Sequence, residues 1–194
     1  MRSITVTMSV TLDGVVQGLA RPDEDTRGGF GHGGWGVDYH DEVATREMGV
    51  GLGRPGDMLL GRRTWQDFAR VWGQAGDGNR YTTHMNATTK YVVSRAGIDV
   101  DAWPTSVLLR GDAVETVARL KAESDRDLSV IGSASLVHAL HAAGLVDHYT
   151  LLITPLTLGA GTRLFEGPAP LTRFALDGCV PTTTGVIIAR YSRQ

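Results

Sequence analysis

Three short apolar runs in this chain each end on residues that can meet an anion. Leu59-Leu60 leads into Gly61-Arg62-Arg63-Thr64, Tyr91-Val92-Val93 into Ser94-Arg95, and Val130-Ile131 into Gly132-Ser133-Ala134-Ser135-Leu136. A helix N-terminus offers unsatisfied N–H groups and the positive end of a dipole, a glycine lets a ligand approach the backbone, and an arginine adds planar fixed charge. Each feature has a plain structural use as well: small residues after a strand help a helix pack on a sheet, and arginines cover surfaces. The third turn also lacks the G-x-G-x-x-G spacing of a dinucleotide fingerprint and the lysine of a P-loop. Together, however, glycine, arginine and a helix start suit a phosphate better than any one of them alone. Proton chemistry would need a carboxylate or a histidine. Asp38, Asp41 and Glu42 stand at the start of a helical pattern, where carboxylates ordinarily cap free N–H groups. The sharper role is a carboxylate reaching a cleft at the mouth of a sheet, and spacing does not choose among the three. His32 lies among glycines, a setting in which a histidine is ordinarily a solvent-exposed side chain and only secondarily a ligand contact.

These residues need a frame that brings strand ends together. The stretch 127–165 reads as strand, tight turn and helix, with Leu136, Val137, Leu140 and Ala143 on the apolar face, a stop at Gly144 and a second strand from Tyr149 to Ile153. That is a right-handed parallel βαβ unit. Ile4, Val6, Met8 and Val10 alternate with Thr5, Thr7 and Ser9, giving a first strand that runs into the turn Leu12–Gly18 on the ligand face of an open α/β sheet. From Leu19 to Trp35 the chain is polar and glycine-rich; Phe30, His32 and Trp35 within it suggest a lid that closes on something flat. One helix is expected over Asp38–Met48. Thr64 with Asp67 gives a capping-box-like start to a helix with Trp65, Phe68, Ala69 and Trp72 on one face, and Trp72 to Thr89 reads as a polar loop. Ser106 to Leu109 reads as a strand, and a helix with Val114, Val117, Ala118 and Leu120 inward follows Arg110-Gly111-Asp112. Leu171–Val180 and Gly185–Tyr191 read as an antiparallel pair closing the sheet.

Composition narrows the class. With 194 residues, 42% of them hydrophobic, the chain can bury one substantial core, so residues 1–194 are expected to form a single domain. A formal charge of −2 argues against broad attraction to nucleic acid or an anionic membrane. The single cysteine, Cys179, has no Cys or His partner at metal-binding spacing and reads as a buried, inert thiol; no metal site is expected. The N-terminal run is interrupted by Thr and Ser and makes neither a signal peptide nor a membrane span, so a soluble cytoplasmic protein is expected.

The segments MSVTLDGVV, LLGRRTWQDF, VVSR and IGSASLVHALHAAGLVDHYTLLITPLTLGAGTRLF, in this order, resemble the dihydrofolate reductase superfamily. The resemblance is closest to the branch that holds the C-terminal reductase domain of the bifunctional riboflavin-biosynthesis deaminase/reductase and its many bacterial relatives. His148 stands where that branch usually has a Glu after Gly-Leu-Val-Asp. The resemblance implies a three-layer dihydrofolate reductase-like α/β fold: a mostly parallel central sheet with an antiparallel C-terminal strand, helices on both faces and NADPH across the strand ends. It implies that Gly61, Arg62, Arg63 and Thr64 hold the phosphates, with Ser94 and Arg95 at the adenosine 2′-phosphate. Gly132, Ser133, Ala134, Ser135 and Leu136 would cradle the pyrophosphate and the nicotinamide side, and Val15 and Val16 would pack near the nicotinamide ring. Dihydrofolate reductases use a carboxylate on the helix after the first loop, which places Asp41 first and Asp38 second as the catalytic acid. The implied activity is NADPH-dependent reduction of a pteridine-like or aminouracil-type heterocycle by a homodimer. The riboflavin-branch substrate carries a ribose phosphate, for which this chain shows no unambiguous extra basic cluster. The alternative is a non-catalytic nucleotide-binding or regulatory protein that keeps the fold.

Overall fold

The computed structural model describes residues 2–52, 55–73, 75, 78–123 and 126–194. Among these residues eight strands form one sheet, in the order β4-β3-β2-β5-β1-β6-β8-β7. They are β1 (Ile4–Thr11), β2 (Gly56–Gly61), β3 (Lys90–Ser94), β4 (Ser106–Arg110), β5 (Asp127–Val130), β6 (His148–Thr154), β7 (Phe174–Pro181) and β8 (Ile187–Arg193). β1 through β6 pair in parallel, and β8 runs antiparallel to both of its neighbours. The helices are α1 (Glu42–Leu52), α2 (Arg62–Trp72), α3 (Arg80–Ala87), α4 (Ala113–Glu123) and α5 (Ala134–Ala142). This is the dihydrofolate reductase-like architecture the sequence implies. Among the described residues no helix is long and apolar enough to cross a membrane.

The alternation in β1 explains how the sheet is covered. Ile4, Val6, Met8 and Val10 point to one face, where Val117 and Leu120 of α4 and Leu136, Val137 and Leu140 of α5 bury them. On the opposite face Met58, Leu60 and Val92 meet Trp65 of α2 and Met85 of α3, with Trp103 fully buried beside them. Burying one such large side chain contributes roughly 1.5–3 kcal/mol, so these two layers hold the sheet. On that second face the centre of the sheet turns polar. Thr5, Thr7 and Ser9 of β1 project there, in register with His148, Thr150 and Leu152 of β6. α1 lies above this side, tied to β8 by the ion pair of Glu47 with Arg190.

Several sequence expectations are corrected. The helix expected over Asp38–Met48 is a short 3-10 turn, Val37–Tyr39, followed by α1 from Glu42. α2 starts at Arg62 with Gly61 as its N-cap, so Thr64 lies inside the first turn, and Asp67 pairs with Arg21 and Arg70 instead of closing a capping box. The stretch read as a loop after Trp72 contains α3; residues 74, 76 and 77 of that stretch lie outside the described residues. Tyr, Thr, His and Asn are indifferent helix formers, and tertiary contacts fix this helix instead. Asn79 caps it through the N–H of Tyr81, Tyr81 packs edge-on against Trp72, and the Lys90 ammonium donates to the carbonyls of Met85 and Thr88 near its end. Cys179 is exposed, because it lies on β7, the edge strand of the sheet among the described residues.

Candidate active site

Parallel strands put their C-terminal ends along one edge, and in an open α/β sheet that edge is where ligands bind. Here the ends of β2, β3 and β5 open into one cleft of about 1180 Å³, lined by Gly61–Thr64, by Ser94–Ala96 and by Ile131–Leu136. The three turns singled out in the sequence therefore share one wall. The cleft exceeds the roughly 300–1,000 Å³ of a typical small-molecule pocket, leaving room for two ligands side by side.

The contact between the first and third turns is close. A Cβ on Gly61 would lie 2.1 Å from the Ser133 hydroxyl oxygen, so glycine is needed there for β2 and the start of α5 to meet. Gly132 (φ 90°) and Ser133 (φ 74°) both adopt left-handed conformations as the chain turns into α5. For Ser133 this costs about 1–2 kcal/mol.

How the helices are capped separates this edge from the rest. Asp41 accepts the Ala44 N–H at the start of α1 (2.7 Å), Asn79 serves α3, and Asp112 accepts the N–H groups of Val114 and Glu115 at α4. α2 and α5, whose first turns line the cleft, have no side-chain cap. A missing cap costs a helix roughly 0.5–2 kcal/mol. Both omissions fall where an anion could supply the missing acceptors. Fixed charge gathers at the same place. Arg62 touches the neutral Gln66 (3.3 Å), Arg63 is exposed with no ion-pair partner among the described residues, and Arg95 lies 3.8 Å from Asp112. Ser94 is buried, and its hydroxyl has no partner among the described residues.

The glycine-rich loop forms the opposite wall. Phe30 and Trp35 do not face the cleft as a flat-ligand lid would; they pack with Val15 in a small core of their own, and the Trp35 indole N–H donates to the Gln17 carbonyl (2.7 Å). Val15 is fully buried there, so of the two valines expected near the nicotinamide only Val16 lines the cleft. Gln17 anchors the loop: its amide nitrogen donates to the carbonyls of Asp25 and Arg27, and its amide oxygen accepts from the Thr162 N–H and hydroxyl. Arg21 reaches across to Asp67 on α2 (2.7 Å). Leu19, Ala20 and Asp23 to Arg27 line the cleft, while His32 is exposed and sits edge-on to Phe30.

The candidate acids lie elsewhere. Asp38 is exposed in the 3-10 turn, and neither it nor Asp41 lines the cleft. One Asp41 oxygen accepts the Ala44 N–H and the other accepts the N–H (2.6 Å) and hydroxyl (2.7 Å) of Thr183. Those bonds, the Ala44 N–H foremost, hold its pKa down to about 2. Asp13 is held near 2 in the same way by the Thr11 hydroxyl and the N–H of Gly159, which joins the first loop to the 156–162 turn. Among the described residues no His, Cys, Asp and Glu cluster could hold a metal ion.

Residue reading overlooked Thr7, Ser9, Gln17, Met48 and His138, all of which line the cleft. A signal existed for the first two, since a hydroxyl-bearing face on a central strand needs a reason to be polar. His138 is one turn beyond Ser135 on α5, and its Nε2 donates to the Arg163 carbonyl (2.8 Å).

Comparison with known proteins gives the following. The family model described as the RibD C-terminal domain matches residues 2–188. The uncharacterised protein YyaP of Bacillus subtilis is 27% identical over 179 residues, covering 84% of this chain and 80% of that protein. Among solved structures, a candidate riboflavin biosynthesis protein from Shewanella sp. PV-4 superposes with a TM-score of 0.68 at 16% identity, covering 99% of both chains. A pyrimidine reductase-like protein from Corynebacterium diphtheriae gives 0.68 at 11% identity, covering 100% of this chain and 92% of the other. Dihydrofolate reductase from Enterococcus faecalis, solved with NADP(H) and RAB-propyl, gives 0.63 at 12% identity, covering 99% and 96%. At these identities the structural likenesses speak to the fold.

Proposed function

The chain belongs to the RibD C-terminal domain family, and from that premise we propose that it is an NADPH-dependent reductase of a pteridine-like or aminouracil-type heterocycle. The observation that carries this reading is the pair of uncapped helix starts, α2 and α5, opening on one cleft beside Arg62, Arg63 and Arg95. A phosphorylated dinucleotide fits what these residues offer. The first turns of α2 and α5 and the Arg62 side chain would hold its pyrophosphate. Arg63, Ser94 and Arg95 would hold the adenosine 2′-phosphate, a group that requires paired cations and so distinguishes NADPH from NADH. Gly132 to Leu136 and Val16 would border the nicotinamide. NADPH, when bound, supplies the hydride.

The chain's own residues would do the rest. Phe68 and Trp72 on one side and the Gln17-anchored loop on the other border the cleft and narrow it around the ligands. The Thr7 and Ser9 hydroxyls form its floor and can orient a second ring. Asp41 acts in this reading as the pin between α1 and the β7–β8 turn, and the proton reaches the substrate from water at the cleft. We place a second copy of the chain against the edge strand β7, where Leu176 is exposed, with the exposed Leu171 in the segment just before it, giving a homodimer.

A second reading, a nucleotide-binding protein without turnover, draws on the placement of Asp41 and Asp38 outside the cleft lining. Titration of the protein with NADPH and NADH, followed by tryptophan fluorescence, tests the main reading through Trp72 in the cleft wall. Saturable quenching by NADPH, weaker with NADH, is expected; no saturation with either would overturn it. Cofactor binding without oxidation across a panel of heterocycles would favour the second reading.

A further inference from the structure

The two ends of the cleft differ in charge. At the end built by β2, β3 and α2, the three arginines Arg62, Arg63 and Arg95 have no carboxylate closer than Asp112, at 3.8 Å from Arg95, among the described residues. Under the glycine-rich loop the cations are already matched. Arg21 is bound to Asp67 at 2.7 Å, Arg70 shares the same carboxylate, and Arg27 pairs with Asp25. Carboxylates remain there in surplus. The Asp23 side chain is 87% exposed with Arg21 3.8 Å away, while among the described residues Glu24 and Glu166 accept only backbone N–H groups, from Ala20 and Arg21 and from Arg163. On the floor, the hydroxyls of Thr7 and Ser9 have no hydrogen-bond partner among the described residues.

A phosphate dianion at this end would give up its hydration and find no unmatched arginine or lysine among the described residues in return, His138 being engaged with the Arg163 carbonyl. It would instead face carboxylates, and like charge at close range is repulsive. A group that donates hydrogen bonds would meet acceptors on the rim and hydroxyls below. We infer that the substrate is a flat heterocycle carrying amino or ring N–H donors and no phosphate or carboxylate, read by Thr7 and Ser9 on the floor and by the acidic loop at the rim. The inference rests on the reductase reading above. It gives the arginine end to the cofactor and sets this chain apart from a relative whose substrate carries a ribose phosphate.

Two matched pairs of probes test it on protein saturated with NADP+: 6-hydroxymethylpterin with its phosphate ester, and 5-amino-6-ribosylaminouracil with its 5′-phosphate. In at least one pair the unphosphorylated member should bind, by roughly tenfold or more over its ester. Asp23→Arg, at an exposed position, should narrow that ratio. Equal or tighter binding of the ester overturns the inference, and so does failure of both pairs to bind while NADP+ binds. Failure of NADP+ itself to bind would instead sink the reductase reading.

Discussion

Arg63 stands at the first turn of an uncapped helix with no ion-pair partner among the described residues, so its charge is available to a ligand. Arg63→Ala should weaken NADPH by about 1.5–3 kcal/mol, the range for a hydrogen bond to a charged group, and leave NADH nearly unchanged. Paired calorimetric titrations check this, and an equal loss for both cofactors would mean that Arg63 does not read the 2′-phosphate. Gly61→Ala places a methyl 2.1 Å from the Ser133 hydroxyl oxygen and should cost about 1–3 kcal/mol by overpacking, as well as weakening cofactor binding. Adding Ser133→Gly removes that oxygen and the left-handed strain together, so the double variant should recover much of the loss in a denaturant titration. Asp41 has a folded pKa near 2 against 3.8 for a free side chain, because N–H and hydroxyl donors favour its charged form. A depressed pKa adds stability that is present above 3.8 and is lost as pH falls through about 2. Asp41→Asn should therefore lower Tm at neutral pH, with the gap to the wild type closing in strong acid, while turnover is retained. Loss of turnover with an unchanged melting profile would assign the carboxylate to proton transfer.

At the scale of elements, the glycine-rich segment 19–35 is a folded strap with its own small core, held chiefly through Gln17. Gln17→Leu removes the donors to Asp25 and Arg27 and the acceptor for Thr162. Trypsin should then cut faster after Arg27, with global Tm little changed, since such a loop can open without the sheet. Unchanged cleavage would mean that Phe30 and Trp35 hold the strap without it. The strands were legible because their alternation is strict: Ile4, Val6, Met8 and Val10 name the buried face of β1 by period alone. The closing pair was legible from the three threonines between its two runs, although Pro181, read as part of the break, is the last residue of β7 and pairs with Ile187. α3 was not, because its stability comes from Asn79, Trp72 and Lys90, contacts distant from its own pattern. The turn at Gly61 was legible as a strand-to-helix junction, but its reason, the approach of Ser133, links residues 72 apart and is invisible locally. The direction of Val15 and Val16 depends on where the strap folds back: Val15 packs with Phe30 and Trp35, and Val16 lines the cleft.

At the scale of the molecule, the sheet order places β1 at the centre with β5 and β2 on one side and β6 and β8 on the other, and this order brings distant turns to one rim. Charge follows the same division: at the β2–β3 end Arg62 and Arg63 have no ion-pair partner among the described residues and Arg95 lies 3.8 Å from Asp112, while carboxylates are in surplus under the strap. Two helix starts, those of α2 and α5, have no side-chain acceptor, and Ser133 is held in a left-handed conformation, so a bound anion should stabilise the whole fold. At a concentration one hundred times Kd, a ligand specific for the native state adds about 2.7 kcal/mol. The most direct measurement is a crystal structure with NADP+ bound. This binding mode requires continuous density from the Arg63 and Ser94–Arg95 corner, across the starts of α2 and α5, to Val16. Density at any other edge of the sheet, or a cleft left empty in the presence of saturating NADP+, would contradict it.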